Sequence, residues 1–297
     1  MGTRALLAGA LAASALAGAA AAPALAKDPG RWKLARVSRP SLDYNQGVAA
    51  SPGRALFFTG TNGLFATTAG LKENARATPA IPPEVTATEG YDHVGDLAYD
   101  GAEGGRLLLP LECYQVGGEN AGNHCGTGSI AVADPLTLRW RYYVKLDPTD
   151  IKKAMWAEVS TDGRSLFTQD GADLLRYDLT QISEANAAPL GPQLKPAARI
   201  ENAFPFGGAT GVAFYKGRLL AAEYDGNRFR VWRIDPTTGK QRLEIERRIF
   251  GESEGLAVAR VRGGLLQWLV APISFGHDPT YGKGNSALLS FIPRSTG

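Results

Sequence analysis

Five pairs of short apolar segments recur along the chain, each separated by a tight turn and followed by a polar residue. The first segment of each pair contains a small residue, and these are Gly47, Gly95, Ala157, Gly211 and Gly255. Successive pairs lie roughly 45 to 60 residues apart, a period typical of propeller blades built from β-strands and turns. The pattern therefore predicts an all-β fold, a five-bladed β-propeller.

The outer strands of the blades are predicted where alternating segments flank Asp-Pro turns, at residues 134–135 and 235–236. The last blade ends with a third strand near residues 287–292, and its fourth strand is predicted at residues 32–37. Pairing of the two ends would close the ring and remove an open seam. A six-bladed ring is the alternative, with the extra blade in residues 72–92, but that segment is too short for four strands.

The N-terminal segment has the features of a secretory signal peptide over residues 1–26. Arg4 precedes an Ala/Leu-rich stretch, and Ala24-Leu-Ala26 provides a small-residue cleavage site. The alternative, a buried Ala-rich helix, has no partner pattern in the rest of the chain. We expect residues 27–297 to form one propeller domain, secreted to the periplasm or the extracellular space.

The net charge is +3, without a run of basic residues. This balance gives no reason to expect a nucleic acid or a membrane surface as partner. Only two cysteines occur, Cys113 and Cys125, and an exported chain most simply joins them in a disulfide. Such a loop should stabilise the fold by roughly 3 kcal/mol. The alternative is a metal site that also uses His124.

Alignment of the repeats on their small residues places one residue of each blade in a ring at one mouth of the central channel. The members of this ring are Gln46, Val94, Trp156, Thr210 and Glu254. We predict that Gln46, Trp156 and Thr210 contact a ligand there. The oligomeric state is left open by the sequence.

Acidic residues occupy two positions that are apolar in the other blades, Asp96 and Glu158. Burial of a carboxylate costs free energy unless a partner compensates it, and a cation is one such partner. Together with Glu254 they form a predicted site for a hard cation, with calcium as the possible cofactor because it prefers oxygen ligands. The alternative is pairing with arginines of the blade turns, which are Arg106, Arg164, Arg218 and Arg228.

Three residues are candidates for catalysis. His93 lies at the start of an inner strand and could act as a general base. Glu112 and Glu223 each end an inner second strand and could serve as the two carboxylates of a glycosidase. The alternatives are a polar plug for His93 and ion pairs for the two glutamates. Ser253 lies in a Gly-Glu-Ser-Glu-Gly sequence, but no helix is predicted after it, as a nucleophile elbow requires.

Two segments resemble motifs of secreted, calcium-binding β-propellers of the gluconolactonase and senescence-marker superfamily. They are Ser160-Thr-Asp-Gly-Arg-Ser-Leu-Phe167, which is similar to a blade turn there, and Glu254-Gly-Leu256, which is similar to a strand start. The resemblance implies a propeller architecture and a metal ligand at Glu254.

The sequence thus predicts an exported propeller that binds a small molecule or a hard cation at the mouth of its channel. Two alternatives remain open. One is a metal-assisted hydrolase of lactones, phosphoesters or glycosides. The other is an extracellular interaction module without catalysis, which would use the loop between Cys113 and Cys125 and residues 183–198. Binding and catalysis require the acids to converge on a pocket, whereas the interaction module allows each acid to pair with an arginine.

Overall fold

The structure, a computed structural model, describes residues 32–53, 55–113, 125–225, 228–248, 251–259, 264–271 and 286–294. Strand β1 (Trp32–Ser38) comes first and belongs to the last blade. The first blade consists of β2 (Gly47–Ala50), β3 (Leu56–Gly60), β4 (Gly63–Thr67) and β5 (Glu73–Ala77). A short helix, α1 (Pro83–Glu89), connects it to the second blade. The segment considered for a sixth blade, residues 72–92, therefore contains the outer strand of the first blade and the connecting helix.

The second and third blades follow the same order from the axis outward. The second consists of β6 (His93–Val94) and β7 (Ala98–Asp100), which both pair with β8 (Arg106–Glu112), then β9 (Ser129–Ala133) and β10 (Trp140–Lys145). The third consists of β11 (Glu158–Val159), β12 (Ser165–Asp170), β13 (Asp173–Asp178) and β14 (Ala198–Ile200).

The last two blades complete the ring. The fourth consists of β15 (Gly211–Tyr215), β16 (Arg218–Asp225), β17 (Arg228–Ile234) and β18 (Gln241–Arg248). The fifth consists of β19 (Glu252–Ala259), β20 (Leu265–Ala271), β21 (Ala287–Pro293) and β1. The N-terminal strand thus closes the C-terminal blade, and the predicted five-bladed ring and its closure are confirmed.

The inner strands are apolar on both sides because each blade is packed between two others. In β16, Leu219 and Ala221 face the third blade, while Leu220 and Ala222 face the fifth. Side chains of a strand alternate between its faces, so a strand covered on both faces needs a continuous apolar run. Five hydrophobic clusters result, one for each pair of neighbouring blades. The core of this protein is therefore distributed around the ring.

The axis has two distinct ends, which we define by the direction of the inner strands. The upper end is where the inner strands begin, next to Gln46, His93 and Glu252, and the lower end is where they finish, next to Ala50, Asp100 and Val258. The predicted site residues lie at both ends and between them.

Candidate functional site

Asp96 closes the middle of the axis. Its carboxylate is fully enclosed and accepts hydrogen bonds from the backbone N–H groups of Val48 at 2.8 Å, Val212 at 3.1 Å and Leu256 at 3.2 Å. The backbone of the same residue is joined to the third blade, because its N–H donates to Met155 O at 3.0 Å. One acidic residue of the second blade thus connects all the other blades.

The chemical state of Asp96 follows from this environment. Burial raises its pKa well above the ordinary value, while the three N–H donors act in the opposite direction, since they favour the charged form. Both carboxylate oxygens already accept hydrogen bonds. The sequence predicted Asp96 as a metal ligand. In the structure both of its carboxylate oxygens accept hydrogen bonds from the protein backbone instead.

The small residues that mark the repeats bring the inner strands into contact around Asp96. A Cβ added to Gly47 would lie 2.6 Å from the Asp96 Cα, and one added to Gly255 would lie 2.5 Å from Val48 N. A Cβ at Gly95 would lie 2.0 Å from Met155 O. Only glycine allows such an approach, so the axis is closed at this level and its two ends are separate.

The upper end brings several of the predicted site residues together. His93 Nε2 lies 2.7 Å from Gln46 Oε1, so the first two blades are joined by a hydrogen bond between side chains. His93 is also the direct partner of Glu112 in the pairing of β6 with β8. Burial lowers the His93 pKa to about 4, because the protonated ring is less well solvated there. At neutral pH the imidazole is therefore uncharged.

Glu254 is a further acidic residue at the upper end, close to other acidic side chains. Burial raises its pKa well above the ordinary value, and the charges of Glu252, Glu112 and Asp96 add to the effect in that order. The side chain keeps a limited exposed area although protein atoms surround its carboxyl on nearly every side. This combination is expected at the base of a narrow recess. Burial also raises the pKa of Glu252.

Thr210 and Trp156 belong to the ring of predicted ligand-contacting residues. In the structure, both side chains contact other side chains of the protein. Thr210 Oγ1 lies 2.9 Å from Ser253 Oγ, which also accepts the indole N–H of Trp268 at 2.9 Å. Trp156 is fully buried between the third and fourth blades and contacts Phe204 edge to face. Its Nε1 has no hydrogen-bond partner among the described residues. Ser253 is thus a support for Thr210 rather than part of a nucleophile elbow.

Glu223 is engaged in a buried ion pair. Its Oε1 accepts from Arg230 Nη1 at 2.7 Å, and its Oε2 accepts from Trp232 Nε1 at 2.5 Å. This is the type of arginine pairing considered as the alternative for the acids, although the partner is Arg230 and not a turn arginine. Both oxygens of Glu223 are occupied by these two contacts in this structure.

Glu158 lies on the other side of the Asp96 closure, at the lower end. Its Oε1 accepts from the backbone N–H of Phe214 at 2.8 Å, and it forms part of the wall of a cavity of about 450 Å³. The three predicted metal ligands are therefore distributed over the two ends and the middle of the axis. Within the described residues, no three His, Cys, Asp or Glu side chains are grouped to hold a metal ion.

The predicted disulfide is confirmed, since Cys113 and Cys125 are bonded to each other. A disulfide favours an oxidising compartment outside the cytoplasm. The predicted signal peptide and His124 lie outside the described residues. None of the described helices is long and apolar enough to cross a bilayer.

Sequence reasoning missed the Asp96 closure, the lower cavity and the partner of Glu223. The last could have been found, because Glu223 and Arg230 are directly opposite each other in the hairpin of β16 and β17. The other two depend on the approach of residues from different blades, such as Val212 and Leu256 towards Asp96. Their local sequences contain no signal for it.

Comparison with known proteins identifies the fold. No protein-family model matches the chain, and no curated protein sequence does. Glutaminyl cyclase of Myxococcus xanthus is similar in structure with a TM-score of 0.53 and 10% identity, over 89% of this chain and 97% of that one. A glucose dehydrogenase is similar with a TM-score of 0.52 and 13% identity, over 88% of this chain and 100% of that one.

A second glucose dehydrogenase structure gives a TM-score of 0.50 and 10% identity, over 88% of this chain and 100% of that one. All three similarities extend over most of both chains at low sequence identity. They agree with the five sheets around one axis. These comparisons establish that the chain has a β-propeller fold.

Proposed function

We propose that this protein is an exported propeller that binds a small molecule or a hard cation in the recess at the upper end of its axis. The recess is defined by Gln46, His93, Glu112, Glu252 and Glu254. The disulfide supports an oxidising location, and the N-terminal segment predicts export.

The observation that carries this proposal is the environment of Glu254. Its carboxyl is enclosed by protein and is influenced by the negative charges of Glu112 and Glu252. Among the described residues, no lysine or arginine contributes to the pKa of Glu252 or Glu254. Enclosed carboxyls without a cationic neighbour are costly to ionise. A bound cation, or a ligand that donates hydrogen bonds, would remove that cost.

The recess also contains the groups needed for proton transfer. His93 is uncharged at neutral pH and is held by Gln46, so its ring can accept a proton. Glu254 has a raised pKa and can retain one. Two groups with pKa values shifted in opposite directions are a common arrangement in acid and base catalysis. This favours a hydrolase as the second candidate function.

Thermal unfolding of the mature protein tests the cation proposal. A ligand that binds only the folded state increases the free energy of unfolding, by about 2.7 kcal/mol when its concentration is a hundred times Kd, and the Tm rises as a result. We therefore expect calcium, added after a chelator, to raise the Tm in a saturable way. In Glu254→Gln that rise should be lost.

Glu201→Gln is the matched control, because Glu201 is exposed between the third and fourth blades. The control should keep the full response to calcium. If wild type shows no response, or if Glu254→Gln responds as the wild type does, the upper recess is not a calcium site. A screen of neutral lactones and sugars by the same measurement would then test the small-molecule arm of the proposal.

A further inference from the structure

Strand β1 is the outer strand of the fifth blade, and its outer edge has no partner strand among the described residues. Its first residue, Trp32, is buried in the core between the fourth and fifth blades, where it contacts Tyr215 edge to face at 5.0 Å. The next five residues are all exposed. Beyond Trp32, β1 is therefore held by its pairing with β21 and presents both of its faces to solvent.

A β-bulge sorts the side chains of β1 by chemistry. In a regular strand, residues three apart lie on opposite faces. The bulge between Leu34 and Arg36 adds one residue to β1, so that Leu34 and Val37 share one face, and Lys33 and Arg36 share the other. The partners in β21 are Phe291 and Leu289 for the first pair, and Ile292 and Ser290 for the second. The exposed strand thus has an apolar face and a basic face.

Exposed apolar side chains are concentrated on this strand and its neighbour. Among the described residues, six large apolar side chains are exposed, and three of them lie on β1 and β21. They are Leu34 at 39%, Val37 at 53% and Ile292 at 41%. Ile292 lies opposite Lys33, so apolar surface also borders the basic face. Grouped exposed apolar residues are typical of a surface that contacts another protein.

The charges on this part of the blade have one sign. Strands β20, β21 and β1 contain Lys33 and Arg36 but no aspartate or glutamate. Arg39 follows β1 directly and adds a third positive charge. Two β1 strands from two copies of the protein would place like charges side by side, which opposes their pairing. An acidic strand would instead be attracted to the same edge.

Other outer strands of the propeller are less suited to pairing with another chain. The outer edge of β10 is covered by the segment 188–194, in which Ala188 N and Leu194 N donate to Tyr143 O and Lys145 O at 2.9 Å. Strand β14 has only three residues. Strand β18 combines arginines with glutamates that form ion pairs. Covered edges, short strands and mixed charges all reduce pairing with other chains. Strand β1 has seven residues and one sign of charge.

We propose that the outer edge of β1 binds an extended acidic segment of a partner protein, which adds a further strand to the fifth blade. In this mode of recognition the backbone hydrogen bonds give affinity and the alternating side chains give specificity. Acidic residues of the added strand would lie beside Lys33 and Arg36, and apolar residues beside Leu34 and Val37. The surface lies on the outside of the ring, so the proposal is independent of the upper recess.

Fluorescence anisotropy at low salt tests this proposal. The probe is a fluorescein-labelled heptapeptide of alternating glutamate and valine, which has the side-chain pattern that β1 requires. We expect saturable binding to the mature protein. The control is the same peptide with every backbone nitrogen methylated, which keeps the charges but cannot donate backbone hydrogen bonds. It should bind at least about tenfold more weakly, because strand addition depends on those bonds.

Two pairs of substitutions locate the binding, and all of them are at exposed positions that the core does not need. Lys33→Glu combined with Arg36→Glu reverses the charge of the basic face and should weaken binding by at least about tenfold. Lys152→Glu combined with Lys153→Glu makes the same charge change between the second and third blades and should bind the peptide as the wild type does.

The apolar face is tested by Leu34→Thr combined with Val37→Thr, which keeps residues suited to a strand and should weaken binding by about fivefold or more. The absence of saturable binding, equal affinity for the methylated peptide, or wild-type affinity in the variant with both Lys33→Glu and Arg36→Glu would overturn the proposal. A wild-type dimer in size-exclusion chromatography that dissociates in the variant with both threonines would mean that a second copy occupies the edge, which would overturn it as well.

Discussion

Replacement of Asp96 by asparagine is expected to destabilise the propeller although it preserves the shape of the side chain. The carboxylate accepts three backbone N–H groups, one at Oδ1 and two at Oδ2. Asparagine has a single acceptor oxygen. If it serves Val212 and Leu256, its NH2 group faces the Val48 N–H, and two donors are left buried without an acceptor.

Each buried donor without a partner costs about 1 to 3 kcal/mol, which gives a loss of roughly 2 to 6 kcal/mol. Asparagine is uncharged, and this offsets part of the loss in stability. Burial raises the Asp96 pKa, which means that the charged carboxylate is itself costly at this position. We expect a net loss of about 2 to 4 kcal/mol. For a domain of this size that lowers the Tm by about 5 to 10 °C.

Differential scanning calorimetry of wild type, Asp96→Asn and Asp96→Leu would test the reasoning. Leucine leaves all three N–H groups without an acceptor, so the Tm should fall in the order wild type, asparagine, leucine. Asp225→Asn is the control, because this side chain is 65% exposed and should change stability little. If Asp96→Asn or Asp96→Leu unfolds at or above the wild-type temperature, the cost of the buried charge exceeds the value of its hydrogen bonds and our reasoning is wrong.

Two further predictions concern buried groups. Arg230→Met should cost about 3 to 5 kcal/mol in chemical denaturation because it leaves Glu223 buried without its cation, whereas Arg218→Met, at a side chain 47% exposed, should cost under about 1 kcal/mol. The pKa of His93 is about 4 in the folded protein and about 6.5 in the unfolded chain, so the unfolded chain binds a proton more readily. The contribution of the neutral His93 ring to the free energy of unfolding is therefore complete above about pH 6.5 and is lost as the pH falls towards 4. Relative to wild type, His93→Gln should therefore gain about 2 to 3 kcal/mol of stability as the pH falls from 7.5 to 4.5. A constant Tm difference over that range would contradict this.

The fold could be predicted from the sequence because its determinants are local and repeated. Apolar runs such as those of β8 and β16, together with the Asp-Pro turns, identify strands and their spacing. The closing role of β1 followed from counting the strands of the last blade. The prediction needed no knowledge of which side chains meet across the axis.

The site could be predicted only in part. The alignment of repeats placed Gln46 and Glu254 in one ring, and both lie at the upper end, but their role in binding stays a prediction. It could not separate Asp96 and Glu158 from that end, because a shift of one residue along a strand changes both the face and the depth of a side chain. The interactions of Asp96 come from blades far apart in sequence, and only the assembled ring shows them.

The pairing of β1 with β21 has a consequence for how the molecule reaches its native state. The first described strand of the chain pairs with the last described one, so an early-synthesised segment has a late-synthesised partner. The contact is therefore of very long range, and such contacts form slowly because a large loop must be closed before they can stabilise anything. Until then the outer edge of β21 lacks its partner strand. The final step of folding should thus be the arrival of β1, and deletion of β1 should yield chains that associate through an uncovered strand edge.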